Sequence, residues 1–438
     1  MSRARAAYLR RRALRGPWSL EGTVLPGARV AVVLPALGEG ALLPRTLASL
    51  LPGSAPAQAV VVVNNRPPGH ADPARAEDNR ETLDALRAGR LACPGAALAW
   101  VDAASPGREI PPGEGVGTAR RIGLDLALEI LDDTDGAVLA CLDGDSPAAP
   151  GYLDALAAFG EAPGAWAGWC DFEHPLEAPA MAAYELHIRC YARGLRWAGS
   201  PYAFPAIGST MACTAGAYAA AGGMNRREAG EDFYFLQQLA KTGTVRPVPG
   251  ARVFPSARAS DRVPFGTGAK LSQWRGDPDL IRTYNPRVYA VLREWLGAAR
   301  AAAEAGAPAE DWMRAAAAVH PALPAFLEET RFPAAWERLR AAAPAPRHRL
   351  RAFHEWFDGL RTLRAVHRLR DAGLESLPVP GAAARLAELL GLFAPADGAD
   401  AAALLLRYRE ADHREPCACG LSLLGTQTEP PGRPETAA

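Results

Sequence analysis

The chain has 438 residues, of which 49% are hydrophobic and 22% charged, the balance of a globular protein and not of a disordered one. At about 150 residues per domain, this length holds two or three domains, or one large domain with an appendage. Lys and Arg total 48, as do Asp and Glu; zero net charge argues against a whole-molecule grip on nucleic acid and leaves only a local basic patch open.

The run from Ser2 to Arg12 is basic but has no apolar core, so it is not a secretory signal. It reads as a solvated lead-in helix, or as a surface helix in peripheral contact with anionic lipid. The segment Arg29-Val30-Ala31-Val32-Val33-Leu34-Pro35 is a short apolar run of the kind that forms a buried parallel strand. Residues 41–51 have helical period. A second strand is expected over 59–63, stopped by Asn64-Asn65, and a third over 97–101. Residues 118–131 read as an amphipathic helix with Ile122, Leu126 and Ile130 on one stripe. A fourth strand over 136–142 runs straight into Asp143. Alternating strands and helices at this spacing predict a parallel α/β sheet. Beyond about residue 271 Ala, Leu, Arg, Glu and Trp dominate, with helices expected over 286–302, 334–342 and 350–371. The expected organisation is a basic lead-in (1–27), an α/β domain (28–270), a helical appendage (271–415) and a disordered tail (416–438).

The seven cysteines are scattered, and Cys93, Cys141, Cys170, Cys190 and Cys213 lack metal-ligand spacing. A reducing, cytoplasmic compartment is the simpler expectation. No run of about 18 apolar residues suggests a spanning helix. His413, Cys417 and Cys419 are too few and too poorly spaced for structural zinc.

Four constellations carry candidate chemistry. Asp143-Gly144-Asp145 directly follows a buried strand, and ligands of parallel α/β sheets gather at strand carboxyl ends. Two carboxylates one residue apart repel unless a cation or donor sits between them. A hard divalent ion, Mg2+ or Mn2+, suits such oxygens and keeps positions for substrate phosphates; the alternative is an ordinary Asp-Gly turn. Gly230-Glu231-Asp232-Phe233 opens a helical stretch, where the acids either cap the helix or supply a general base. Gly113-Glu114-Gly115-Val116-Gly117 precedes Arg120 and Arg121. It lacks the Walker and dinucleotide patterns, but amides at a helix start with two arginines suit a diphosphate. A polar, Gly-rich loop over 259–268 carries Arg262, which could close over a phosphate or merely link two halves. Trp166 and Trp169 beside Asp171, Glu173 and His174 are either sugar-stacking aromatics or core.

Together these pieces resemble the family 2 glycosyltransferases of GT-A fold. Val32 to Glu39 is similar to that family's first strand and Pro-x-x-Asn-Glu segment. Ala119-Arg120-Arg121 resembles its Ala-Arg-Asn helix start, and Asp143-Gly144-Asp145 stands where its D-x-D stands. Gly222-Gly223-Met224 followed by Gly230-Glu231-Asp232-Phe233 resembles its Gly-Gly-Phe and Gly-Glu-Asp pair. The likeness covers residues 28–270 and not the helical remainder. It implies a GT-A fold with a mainly parallel sheet, and metal-dependent, hexosyltransferase-like transfer from a nucleotide-diphosphate sugar, UDP-sugar favoured, to an unidentified acceptor hydroxyl with inversion. It implies donor-binding roles for Pro35, Glu39, Asn64, Arg120, Asp143 and Arg262, metal ligation by Asp143 and Asp145, and a general base at Asp232 or, second, Glu231. Two departures stand out: Gly38 replaces the Asn of Asn-Glu, and Asn64-Asn65-Arg66 replaces an acidic pair after the second strand. A nucleotidyltransferase is the rival enzyme class, although no basic residue lies in 35–39. A catalytically decayed scaffold on the same fold is the non-enzymatic alternative.

Overall fold

The computed structural model describes residues 2–176, 179–258 and 281–414. The chain divides into two compact units: 1–185 with 205–242 and 247–278, and 186–204 with 243–246 and 279–438.

The first unit is built on β1 (Glu21–Gly22), β2 (Val30–Ala36), β3 (Ala57–Asn64), β4 (Ala97–Ala103), β5 (Val138–Cys141), β6 (Ala167–Phe172), β7 (Met211–Thr214) and β8 (Val245–Val253). They form one sheet in the order β1-β4-β3-β2-β5-β7-β6-β8. Strands β4, β3, β2 and β5 are parallel, with Val30 opposite both Ala57 and Val138. Every residue of β2 and β3 is buried. That explains their largely β-branched and apolar composition, interrupted only by Gln58 and Asn64, since a sheet covered on both faces has no solvent side to alternate toward. Antiparallel neighbours extend the sheet, β1 on β4 and β7 between β5 and β6. The α/β class read from sequence is borne out, and the arrangement is consistent with a GT-A-like fold.

The amphipathic helix is α4 (Val116–Ile130), but its buried face differs from the expected stripe. Leu126 and Ile130 are half-buried, whereas Ala119, Ile122, Gly123 and Ala127 are buried. The reason is Gly123: a Cβ there would overlap Val33 and Val62, so the helix lies unusually close to β2 and β3 along its glycine side. The N-terminal basic run forms α1 (Arg3–Arg11), capped by Ser2, whose hydroxyl accepts the Arg5 amide at 3.2 Å. It is not wholly solvated. The Arg5 guanidinium is buried and donates to the carbonyls of Leu128 and Leu131 at the end of α4, at 2.5 and 2.9 Å. Arg3, Arg10, Arg11 and Arg12 are exposed.

The second unit is helical. Its helices include Arg287–Ala305, Ala309–Val319, Ala322–Glu329, Phe332–Ala342, Pro346–Trp356, Gly359–Asp371, Val379–Leu390 and Ala401–Arg414. Trp295, Trp312 and Trp336 are fully buried at its centre, with the rings of Trp312 and Trp336 4.3 Å apart. The single helix expected over 350–371 is two helices. Asp358 interrupts it by capping the second, accepting the Arg361 amide at 3.1 Å. Among the described residues no helix is long and apolar enough to cross a membrane.

Candidate functional site

The carboxyl ends of the adjacent parallel strands deliver their following residues to one rim. Glu39 follows β2, Asn64 ends β3, and Asp143 and Asp145 follow β5. The turn after β5 stays continuous with the sheet through the Leu142 amide, which donates to the Val33 carbonyl at 3.0 Å. Gly144 sits close against its neighbours: a Cβ would lie 3.3 Å from the Glu39 side chain and 3.4 Å from the Pro35 carbonyl. A cavity of about 470 Å3 opens here, lined by Pro35, Glu39, Asn64, Arg120, Asp143, Asp145, Glu231 and Asp232, all expected from sequence. Arg262 lies outside the described residues.

Arg120 is the centre of charge. Its guanidinium is 3% exposed; one nitrogen lies 2.5 Å from Asp143 Oδ1 and the other bonds Glu231. Gly208 makes room, because any side chain there would overlap the guanidinium. Burial opposes the charge on Arg120, but Asp143 and Glu231 outweigh it and hold the group protonated above its ordinary range. Burial pushes the Glu231 carboxyl up to about 7, against the pull of Arg120. Asp232 is half-buried and also raised by desolvation; its Oδ1 accepts the Phe233 amide at 2.7 Å, as a carboxylate in the first turn of a helix does. Both acids open α8 (Glu231–Thr242).

Arg121, the second arginine of the candidate diphosphate cradle, turns away. It donates to the carbonyls of Met224 and Arg12 at 2.9 and 2.6 Å. Two glycines of that run serve backbone approach: a Cβ on Gly115 would come within 2.9 Å of the Glu228 Cα, and one on Gly117 within 2.7 Å of the Asn225 and Arg227 carbonyls. Asp171 and Glu173 are paired with Arg252 at 3.0 and 2.8 Å, and Trp169 is buried.

Four sets of pairings escape the sequence reading. Arg258 Nη2 bonds Glu39 Oε2 at 2.6 Å and Asp145 Oδ2 at 2.7 Å. Asn79 is a buried hub in α3 (Pro73–Arg87): its Oδ1 accepts the Gly38 amide at 2.9 Å, and its Nδ2 donates to the Asn64 carbonyl and Asn65 Oδ1 at 3.0 and 2.6 Å. Arg66 bonds Glu228, and both line the cavity. His174, also on the wall, has Nδ1 3.0 Å from the fully buried Glu185 carboxylate, which also accepts the His174 backbone amide at 2.7 Å. Arg258 lies one residue before the loop singled out at 259; the other pairings join distant positions and leave no local signal.

No family model matches the chain, and no curated protein matches it. Among solved structures, S. aureus TarS 1-349 in complex with UDP-GlcNAc is similar at 13% identity and a TM-score of 0.36, over 78% of this chain and 92% of that one. The mannosyltransferase PcManGT from Pyrobaculum calidifontis in complex with GDP-Man and Mn2+ is similar at 17% identity and a TM-score of 0.32, over 94% of each chain. In two further S. aureus TarS structures, this chain spans 60% of the length of TarS 1-349 and 36% of the length of TarS. Likenesses this distant carry no weight for activity or ligand.

Proposed function

We propose that the chain is a glycosyltransferase of GT-A type that moves a sugar, hexosyl by class, from a nucleotide diphosphate, UDP favoured, to an acceptor hydroxyl with inversion. One observation carries the reading. Asp143 and Asp145, after β5, and Asp232, at the start of α8, line one cavity of about 470 Å3 at the carboxyl rim of the parallel strands, a volume within the usual ligand-site range and in the place where such sheets bind ligands.

The cavity's charge fits a divalent ion as part of the substrate complex. Seven carboxylates line it (Glu39, Glu114, Asp143, Asp145, Glu228, Glu231, Asp232) against three guanidiniums (Arg66, Arg120, Arg258), counting described residues. A diphosphate entering without a cation would meet net negative charge. Asp143 and Asp145 form no cluster with a third His, Cys, Asp or Glu among the described residues whose ligand atoms all lie within 4.8 Å. An ion held there keeps coordination positions for phosphate oxygens and water, as Mg2+ and Mn2+ do. When bound, the ion neutralises charge that develops on the departing diphosphate.

The chain's own residues supply the rest. Asp232 accepts the proton of the acceptor hydroxyl as its oxygen bonds the anomeric carbon; the carbon–oxygen bond to phosphate breaks, and its electron pair stays on the diphosphate. Attack from the face opposite the leaving group inverts the centre. Arg120 keeps Asp143 and Glu231 in place from beneath. The Asn64 amide, buried on the cavity wall, can both donate to and accept from a base edge.

The test is turnover of UDP-, GDP- and dTDP-sugars with Mn2+, read as nucleotide release with water as acceptor. The wild-type chain is expected to hydrolyse at least one donor, and Asp232→Asn to lower that rate by about 10²–10⁴ while donor affinity stays within a few-fold. Full activity in Asp232→Asn refutes the base. No turnover of any donor refutes the enzyme and favours a scaffold.

A further inference from the structure

The family resemblance gives Glu39 a donor-binding role. In the structure its carboxylate shares a cation with Asp145. One atom, Arg258 Nη2, lies 2.6 Å from Glu39 Oε2 and 2.7 Å from Asp145 Oδ2, so the two carboxylates, one before α2 (Leu43–Ser49) and one after β5, face a common point. Glu39 is 4% exposed, and burying a carboxylate is costly unless it is paired and hydrogen-bonded.

The backbone delivers Arg258 to this point. The end of β8 is fixed to the segment after Asp145: the Ala149 amide donates to the Arg252 carbonyl at 2.9 Å, and the Phe254 amide to the Pro147 carbonyl at 2.8 Å. Beyond Phe254 the chain makes a short reach, and the Arg258 amide donates to the Ser256 hydroxyl at 3.3 Å. The guanidinium has somewhere else to go. A second cavity of about 340 Å3 is lined by Leu42, Arg45, Phe254 and Ser256 together with Asp145 and Arg258 themselves, and the Arg258 side chain is 41% exposed.

We propose that Glu39 joins Asp145 in holding the divalent ion of the proposed function and that Arg258 is the internal counter-cation which the ion displaces. A guanidinium and a divalent ion cannot both occupy the point the two carboxylates face. The exchange keeps Glu39 compensated in either state. It also frees a guanidinium beside the incoming diphosphate, a group whose planar fork suits phosphate oxygens. Metal entry and phosphate recognition are thereby linked through one side chain. The inference rests on the glycosyltransferase reading for the identity of the diphosphate, but the metal exchange is measurable without any sugar donor.

The experiment is calorimetric titration of Mn2+ into the full chain without nucleotide, for wild type, Arg258→Ala, Arg258→Lys and the double variant Arg258→Ala with Glu39→Gln. Removing two charge-assisted contacts that the ion must otherwise break is expected to tighten Mn2+ binding in Arg258→Ala about 10- to 100-fold. Arg258→Lys keeps the positive charge and stays near wild type, and the double variant loses the gain. If Arg258→Ala does not fold, judged by its melting curve in chelator, Arg258→Gln carries the same expectation. Equal Mn2+ affinity in wild type and Arg258→Ala, alongside Mn2+-dependent UDP binding, overturns the exchange and leaves the enzyme reading standing. Donor turnover with no Mn2+ binding by any protein overturns both the metal and the exchange.

Discussion

Arg120 decides the electrostatics of the cavity at the level of single residues. Its buried guanidinium ties the acid after β5 to the acid that opens α8. Removing it would leave two carboxylates facing each other in a desolvated wall. The raised Glu231 carboxyl has a consequence for stability. Its ordinary value is 4.5 and its value in the fold about 7, so between these the folded chain keeps a proton that the unfolded chain has released. The group's contribution to stability is full below about 4.5 and is lost as pH rises toward about 7. Glu231→Gln fixes the neutral form. Urea unfolding across this window should show the variant gaining on wild type as pH rises; a difference flat in pH would contradict the raised value. The two departures from the resembled family also resolve at this scale. Gly38 sits at φ +65°, a left-handed conformation that Gly adopts freely and Asn tolerates. Both Asn64 and Asn65 line the cavity, but the Asn65 side chain is spent on Asn79 and on the Ala104 carbonyl, which accepts from its Nδ2 at 3.2 Å.

Among the elements, α1 is the one whose role the sequence least reveals. Its arginines suggest a solvated or lipid-facing helix, yet it is stitched to α4 and to α7 (Ala215–Ala221). The hydroxyls of Tyr8 and Tyr218 both donate to Asp125 Oδ1, at 2.6 and 2.7 Å, while the Leu14 amide donates to Oδ2 at 2.6 Å. Desolvation and the Asp125 carboxylate push the Tyr8 hydroxyl well above its ordinary range, so it remains a donor. Tyr8→Phe deletes one buried hydrogen bond to a charged acceptor, a change expected to cost about 1.5–3 kcal/mol of unfolding free energy in urea titration. A loss below about 0.5 kcal/mol, the range of ordinary surface substitutions, would show that α1 is only loosely held. The same element shows why sequence reading stopped where it did. Tyr8 and Asp125 are 117 positions apart, and nothing in either neighbourhood announces the other.

For the whole molecule, legibility followed burial and locality. Strands β2 to β5 could be read because continuous apolar runs have few other uses, and β2, β3 and β5 each led to a rim residue. The short antiparallel strands β6 and β7 carry no such run. Their sequences, AGWCDF and MACT, are set by their neighbours and not by their own period. The D-x-D and Glu-Asp pairs were legible as chemistry because they abut a strand end and a helix start. Arg258 was not, because its partners Glu39 and Asp145 are 219 and 113 positions away. In the helical unit composition gave the class, but one expected helix proved to be two because Asp358 is a cap. What the two acids after β5 do is the claim on which the functional account stands. Calorimetry of UDP binding to the full chain and to Asp145→Ala, each with Mn2+ and with chelator, tests it most directly. The account predicts that wild type binds UDP with Mn2+ and loses most of that affinity in chelator, while Asp145→Ala binds weakly in both; Mn2+-dependent affinity that survives intact in Asp145→Ala would contradict it.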